Sequence, residues 1–452
     1  MIRPIGSMLD DFASQNSISF HMPGHKGVAS FLEPGFLCYD ITELPVSDNL
    51  YEPKGVIKES QDYYAQYLNA GSIYYLVNGS STGVISSILS LCDFNKVLFC
   101  RNIHVSAVSG MILSGITPCF VYGDNSEFIT EKDIISAMDE HSPDALFLVY
   151  PDYRGDCFDL EKVCIEAHRR KILVIVDSAH GAGFPFSDRL PLDCGTAGAD
   201  IWTISMHKTL ASVNQSAVLC LSKDINSGIE IKRYINLIQT TSPSYPILAS
   251  IEYALAESSE NGSAMYEDLY CCVSNFLPKL SINGLSVKKN PVAFDNDFSR
   301  IVISSDYLNG FALSKMLAAS NIYVEAADSD SVLRLTSIYN NESDFEKFIN
   351  AVSEIRIFDD NMKYTYYRYA DDIVLSPRDA FFGHGTEVPL KEATGRISCD
   401  PIGCYPPGIP VILPGCRITT EQAEYLLAME DLGYDLFGLC EHKVRVLEGK
   451  CL

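Results

Sequence analysis

Between residues 55 and 225 the sequence alternates short runs of β-forming residues with segments of helical periodicity. This alternation constrains the fold, because strands separated by helices pair mainly in parallel and are covered by helices on both faces. Strands are predicted at 72–77, 96–100, 118–122, 145–150, 171–176, 200–204 and 217–221, with helices at 55–70 and 82–92. The sequence therefore predicts an α/β three-layer sandwich around a mainly parallel sheet.

The chain is too long for one core of ordinary size, and its pattern changes twice more. A second alternation of strand and helix patterns predicts strands at 301–304 and 332–336 and helices at 310–319 and 343–355. The Pro-rich segment Tyr405–Pro410 fits neither a helix nor a central strand, and a helix is predicted at 419–431. We expect an N-terminal segment at 1–54, a large domain at 55–255, a small α/β domain at 256–370 and a C-terminal subdomain at 371–452. The linkers are predicted near 255–295 and 357–376.

Composition excludes several functional classes. A net charge of −24 without a basic cluster argues against binding to nucleic acid, which requires lysine and arginine against phosphates. No signal peptide and no apolar run long enough for a membrane span is found, so a cytoplasmic protein is expected. The 15 cysteines are scattered without a C-x-x-C pair, which predicts free buried thiols and neither disulfides nor a metal site.

Two of the predicted strands end next to residues that suit a pyridoxal phosphate (PLP) site. The apolar run 172–176 is followed by Asp177, and the segment after the strand at 200–204 contains Lys208. A PLP enzyme needs a lysine amine for the resting Schiff base and an acid that keeps the pyridine nitrogen protonated. Strand-end aspartates are common, however, so the pair alone is a weak signal.

Four further segments could complete this site. The turn Asn78–Gly83 could hold a phosphate or simply cap a helix, and His104 follows another predicted strand. His180 lies three residues after Asp177. The hydroxyl-rich turn Thr240–Tyr245 suits phosphate binding or capping. Each segment also has an ordinary structural interpretation.

The order of these segments resembles the Orn/Lys/Arg decarboxylase family of fold-type-I PLP enzymes, in its short form without an amino-terminal receiver-like domain. The resemblance extends over nearly the whole chain. The further motifs that carry it are Phe20–Gly27, Asp40–Leu44, Asp48–Leu50, Gly395–Ile397, Tyr405–Pro410 and Pro414–Gly415. Their collinear combination is far more specific than any one of them.

The resemblance implies a role for each site residue. Lys208 would form the Schiff base, Asp177 would pair with the pyridinium, His104 would stack on the ring and His180 would lie beside it. The remaining contacts to phosphate or lysine would come from Ser80, Ser81, Ser205 and His207. Lys208 or His207 would donate the proton to Cα. The turn at Thr240–Ser244 would reach the phosphate of a neighbouring subunit, which implies a homodimer with shared active sites.

The activity that the resemblance implies is decarboxylation of arginine, lysine or ornithine to the amine, through an external aldimine and a quinonoid, as in polyamine metabolism. The acid that selects a cationic side chain stays open among Glu43, Asp48 and Glu392, and Arg396 could be a structural or a substrate contact. The resemblance thus implies a small-molecule amino-acid substrate but does not decide among these three amino acids.

Four positions depart from the family pattern. Ser178 and Gly183 replace a carboxylate and an imidazole, Val105 replaces a lysine, and Cys416 replaces a glutamate. These changes leave the groups that would bind the cofactor in place but reduce the polar groups around them. An aminotransferase, another PLP reaction and a non-catalytic homologue therefore remain alternatives.

Overall fold

The structure is a computed structural model that describes residues 2–15, 37–123, 128–225, 229–282, 284–305, 307–353 and 369–448. The motif Phe20–Gly27 lies outside these residues. In chain order the helices are α1 Pro4–Ser14, α2 Val56–Ala65, α3 Gly79–Leu89, α4 Val105–Ser114, α5 Glu131–His141, α6 Leu160–Arg169, α7 Cys194–Ala197, α8 Met206–Thr209, α9 Ile231–Ile238, α10 Tyr245–Ile282, α11 Gly310–Ala319, α12 Glu342–Ser353, α13 Pro377–Phe381 and α14 Thr420–Asp431.

The strands reproduce the predicted alternation. In chain order they are β1 Ser72–Leu76, β2 Val97–Cys100, β3 Cys119–Val121, β4 Ala145–Val149, β5 Asp156–Cys157, β6 Leu173–Asp177, β7 Ile201–Ser205, β8 Ala217–Leu221, β9 Leu285–Val287, β10 Asp295–Asn296, β11 Arg300–Ser305, β12 Ala326–Ala327, β13 Ser331–Leu335, β14 Gly385–Pro389, β15 Ile402–Tyr405, β16 Pro410–Ile412, β17 Asp435–Phe437 and β18 Lys443–Leu447. The predicted α/β class with a mainly parallel central sheet is confirmed.

The chain forms two compact units, residues 1–90 with 174–266 (unit 1) and residues 91–173 with 267–452 (unit 2). In unit 1 the strand order is β1, β8, β7, β6. Strand β6 is parallel to β7, and β8 is antiparallel to both β7 and β1. Strands β1, β6 and β7 therefore share one direction. Helix α3 packs closely on β7, because a Cβ at Gly83 would lie 2.6 Å from the side chain of Thr203.

Unit 2 contains a parallel block in the order β4, β2, β3 and a four-stranded antiparallel sheet in the order β12, β13, β11, β9. Its C-terminal part buries a separate apolar cluster between α14 and the strands β15, β16 and β18, with Ile402, Ile412, Leu426 and Val446 fully buried. The four-part domain division made from the sequence stays a prediction.

The linker predicted near 255–295 is wrong over most of its length, since residues 245–282 form the single helix α10. In the structure Gly262 faces the 3₁₀ turn Phe184–Phe186, where an added Cβ would lie 2.9 Å from the Cβ of Phe186. The glycine permits close helix packing there and does not end the helix. The second predicted linker falls largely outside the described residues.

The cysteines in the described ranges are all free. Within the same ranges, no helix combines the length and the apolar character needed to cross a membrane.

Candidate active site

The predicted lysine and aspartate follow adjacent parallel strands of unit 1. Asp177 is the last residue of β6 and pairs in register with Thr203 of β7, while Lys208 lies in the short helix α8 directly after β7. Because β1, β6 and β7 run in one direction, the residues that follow all three lie at one edge of the sheet. Open α/β sheets bind their ligands at this carboxyl edge.

The carboxylate of Asp177 is buried, with 6% of the residue exposed. Its Oδ1 accepts a hydrogen bond from the backbone amide of Ala179 at 3.1 Å. The next amide, that of Ser178, donates to the carbonyl of Thr203 at 2.9 Å and fixes the turn to β7. The turn therefore holds the Asp177 carboxyl group in a defined direction at the sheet edge.

His180 contacts the predicted Schiff-base lysine directly. The distance from its Nε2 to Nζ of Lys208 is 3.2 Å. Both side chains are half-buried. An imidazole at this distance can accept a proton from the ammonium or return it, so the pair can perform acid–base chemistry at Nζ.

The ring of His207 is held in place through its Nδ1 atom. The Nδ1–H group donates to the carbonyl of Ser216 at 2.9 Å, which leaves the lone pair on Nε2. Burial lowers the pKa of His207, and the charge of Lys208 lowers it further, against the opposing effect of the Ser216 carbonyl. The net effect favours the neutral form of the His207 ring.

The predicted phosphate-binding turn is the first turn of α3. The helix begins at Gly79 and not at residue 82 as predicted, because Gly79 adopts φ +75° and donates its amide to the carbonyl of Gln215 at 2.7 Å. Ser80 and Ser81 are half-buried in this turn, and the cap residue Asn78 makes no side-chain hydrogen bond to it. An uncapped helix N-terminus favours an anion through its amides and its dipole.

Three hydroxyls near the same edge are buried and, among the described residues, have no hydrogen-bond partner. They belong to Ser205, Thr209 and Ser216. A buried polar group without a partner costs about 1–3 kcal/mol, so three of them together indicate that a polar ligand completes the site.

Thr240 is exposed and follows α9. Its Oγ1 accepts from the amide of Ser242 at 3.2 Å. The preceding residue, Gln239, connects this turn to β1, since its side-chain oxygen accepts from the amide of Val77 at 3.0 Å. Sequence patterns did not indicate Gln239, or the turn at Gln215 and Ser216 that supports Gly79 and His207.

His104 belongs to unit 2, where it caps the N-terminus of α4. Its Nδ1 accepts from the amide of Ser106 at 3.2 Å and lies 2.8 Å from the Ser106 hydroxyl. Gly408 approaches the other side of the ring, so that an added Cβ would lie 3.0 Å from Nε2. The imidazole plane is therefore fixed. Val105, one of the departures, simply begins the helix.

The structure gives a physical reason for two of the departures. Ser178 is buried and forms a hydrogen bond with the thiol of Cys194, a contact that a larger acid would have to displace. At Gly183 the φ angle is −80°, so the backbone does not require glycine. A Cβ there would lie 2.1 Å from the hydroxyl of Tyr266, a residue on α10 that is 2% exposed. The Tyr266 hydroxyl occupies the space of a side chain at position 183.

We expect Gly183→Ala to destabilise the protein by about 1–3 kcal/mol, the usual cost of overpacking, because its methyl group overlaps Tyr266. Urea unfolding measures this change. In a Tyr266→Leu background, which removes the hydroxyl, the same substitution should cost less. An equal cost in both backgrounds would contradict the assignment of the overlap to Tyr266.

The chain is similar to a known enzyme family along most of its length. Residues 3–277 match the Orn/Lys/Arg decarboxylase major domain, and residues 360–444 match the C-terminal domain of the same family. The chain is 31% identical to the arginine decarboxylase of Bacillus subtilis strain 168, over 98% of each chain. It is 23% identical to the inducible lysine decarboxylase of Escherichia coli K12, over 96% of this chain and 78% of the relative.

Two solved structures show the same fold at low sequence identity. The Francisella novicida lysine decarboxylase LdcF has a TM-score of 0.82 at 18% identity, over 98% of this chain and 81% of its own. An alanine–glyoxylate aminotransferase from Nostoc sp. has a TM-score of 0.56 at 16% identity, over 68% of this chain and 88% of its own. The first similarity covers nearly the whole chain, whereas the second covers about two thirds of it.

Proposed function

Because this chain belongs to the Orn/Lys/Arg decarboxylase family, and is therefore a decarboxylase and a lyase, we propose that it decarboxylates a basic amino acid with PLP as cofactor. Its fold is that of the fold-type-I PLP enzymes. The observation that carries the proposal is the pair of Asp177 and Lys208 at one sheet edge, with His180 Nε2 3.2 Å from Lys208 Nζ.

The residues at this edge fit the cofactor. Lys208 supplies the amine for the Schiff base, and Asp177 supplies a buried carboxylate for the pyridine nitrogen. The uncapped first turn of α3, with Ser80 and Ser81, and the unpartnered hydroxyls of Ser205 and Thr209 suit a phosphate. For the stacking contact on the ring, the proposal takes His104, as the family resemblance implies.

The chemistry that PLP supplies when bound is an electron sink for the electron pair left at Cα when carbon dioxide departs. Asp177 holds the proton on the pyridine nitrogen and so keeps that sink effective. His180 accepts or returns a proton at Nζ of Lys208. Lys208 Nζ, or His207 after its Nε2 has taken up a proton, then delivers the proton to Cα.

We propose arginine as the preferred substrate, since the relatives that match at about 31% identity over nearly their whole length are named arginine decarboxylases. Glu43 is the best-supported acid for the cationic end, because one of its carboxylate oxygens is buried and has no partner among the described residues. It lies near Tyr245, whose pKa burial raises to about 12. Glu392 is exposed.

Asp48 has another role. Its carboxylate accepts hydrogen bonds from the amides of Gly55 at 2.8 Å and Ile57 at 3.1 Å, at the start of α2. Burial alone raises the pKa of Asp48, but these amide donors lower it below its usual value. Likewise Arg396 donates to the carbonyl of Leu447 at 3.0 Å. Both residues therefore have structural partners.

The proposal includes a homodimer in which the exposed turn at Thr240 contacts the cofactor phosphate of the partner. It also includes a reducing compartment such as the cytoplasm, which the free cysteines support.

The experiment is carbon dioxide release by the purified, PLP-saturated protein from arginine, lysine, ornithine and a wider amino-acid panel. We expect kcat/KM to be highest for arginine, by about tenfold or more over the other two. A keto acid with pyridoxamine phosphate would instead identify an aminotransferase. A visible cofactor band without carbon dioxide from any amino acid would contradict the proposed reaction.

A further inference from the structure

A buried arginine lies three residues before His104 in unit 2. Arg101 is 1% exposed and follows β2 directly. Its guanidinium donates through Nε and Nη2 to the carboxylate of Asp371, with 3.1 Å between Nη2 and Oδ1. The hydroxyl of Tyr122 donates to the same carboxylate at 3.0 Å. Burial alone lowers the pKa of Arg101, but Asp371 raises it above its usual value, so the guanidinium keeps its charge.

The other side of the same guanidinium holds a backbone segment. Nη1 of Arg101 donates to the carbonyl of Pro410 at 2.9 Å, and Nη2 donates to the carbonyl of Val411 at 3.1 Å. Both carbonyls belong to β16, which pairs with β15. The Pro-rich turn at 406–409 connects these two strands. Arg101 thus fixes one end of the turn.

This turn supports His104. The carbonyl of Gly408 accepts from the amide of Val105 at 2.9 Å, next to the imidazole. Gly408 adopts φ +87°, and its α-carbon faces the ring so closely that an added Cβ would lie 3.0 Å from Nε2 of His104. The backbone requires glycine here for both reasons.

We propose that Arg101 and Asp371 are positioning residues for His104, acting through β16 and Gly408. The proposal rests on the proposed function, in which His104 stacks on the cofactor. The ion pair is buried, so water does not compete for its hydrogen bonds and the two side chains keep a defined orientation. The guanidinium also stacks on Tyr369, with its central carbon 4.5 Å from the ring centroid.

The departure at Cys416 agrees with this arrangement. Cys416 forms an antiparallel bridge with Ile373, two residues after Asp371. Burial raises the pKa of the Cys416 thiol and the charge of Asp371 raises it further, against the opposing effect of Arg101. A glutamate at this position, as in the family pattern, would add a second negative charge beside Asp371. The charges of one guanidinium and one carboxylate cancel each other, and a cysteine thiol adds no further charge.

The test compares Asp371→Asn with the matched control Asp372→Asn. Asp372 is the next residue, but it is exposed and pairs with Arg417 at 3.1 Å, away from Arg101. Hydrogen exchange reads the backbone amides at 105–106 and 408, and titration of the apoprotein with PLP gives Kd from the visible band. We expect Asp371→Asn to accelerate exchange at these amides and to raise Kd by about tenfold, within the usual range of coupling between residues in contact. Asp372→Asn should change neither.

Positioning also predicts that the effects are not additive. In a His104→Ala background, Asp371→Asn should change Kd by less than about twofold, because no ring is left to position. Arg101→Lys, which keeps the charge and loses the forked geometry, is the second variant if Asp371→Asn does not fold. Full additivity, or unchanged exchange in a folded variant, would overturn the proposal. Absence of a visible band in the wild-type protein would overturn the proposed function instead, while the exchange measurement still tests the link between Arg101 and Gly408.

Discussion

Replacing Lys208 by alanine is expected to remove the visible band that the bound cofactor forms with this lysine and to lower carbon dioxide release by about 10⁴-fold or more, the upper range for loss of a positioned acid–base group. The variant loses both the amine that joins the cofactor and the proton carried at Nζ beside His180. Absorbance and single-turnover carbon dioxide release measure the two losses separately.

Two controls give this result its meaning. Lys208→Arg keeps a cation next to His180 but cannot form the Schiff base, so it should also lack the band. Lys223→Ala removes an exposed lysine that follows β8 and should leave both readouts unchanged. A Lys208→Ala protein that retains the band would transfer the Schiff-base role to another lysine.

Asp177→Asn is expected to lower kcat by about 10²–10³-fold, equivalent to about 3–4 kcal/mol, the range seen when one preorganised electrostatic group is removed. The amide keeps the size of the side chain but loses the charge that holds the proton on the pyridine nitrogen. The cofactor should still bind through Lys208, so the loss should appear in kcat and not in occupancy. Stopped-flow kinetics with saturated cofactor measure it.

Asp200→Asn is the matched control for this variant. Asp200 lies just before β7, at the opposite end of the same strand pair, and accepts from the amide of Val174 at 2.7 Å. It undergoes the same chemical change far from the carboxyl edge, so kcat should stay near the wild-type value. Equal losses in both variants would assign the effect of Asp177→Asn to general destabilisation.

The strands could be predicted from the sequence because short buried runs such as 173–177 and 217–221 have a clear apolar signal with polar ends. The prediction placed Asp177 and Lys208 after neighbouring strands, and this is confirmed by their pairing register. Such features are local in sequence, and parallel pairing then determines which ends meet.

The features that were missed depend on contacts between distant residues. Gly262 lies inside α10, where Phe186 packs against it, and Gly183 carries no side chain because the Tyr266 hydroxyl occupies that space. Asp48 looked like a possible substrate contact because its amide donors lie up to ten residues along the chain. In each case one residue type serves several purposes, and only the tertiary partner decides among them.

The position of β1 has a consequence for synthesis on the ribosome. In register, Ser72 pairs with Leu221, so the strand emerges long before the partner to which it hydrogen-bonds. At about 5–20 residues per second, a separation of roughly 150 residues delays the pairing by on the order of 10–30 s. During that interval an apolar strand is exposed without its neighbour. Nascent chains of this protein should therefore bind general chaperones until β8 has left the exit tunnel, and slower translation of residues 77–216 should lower the soluble yield.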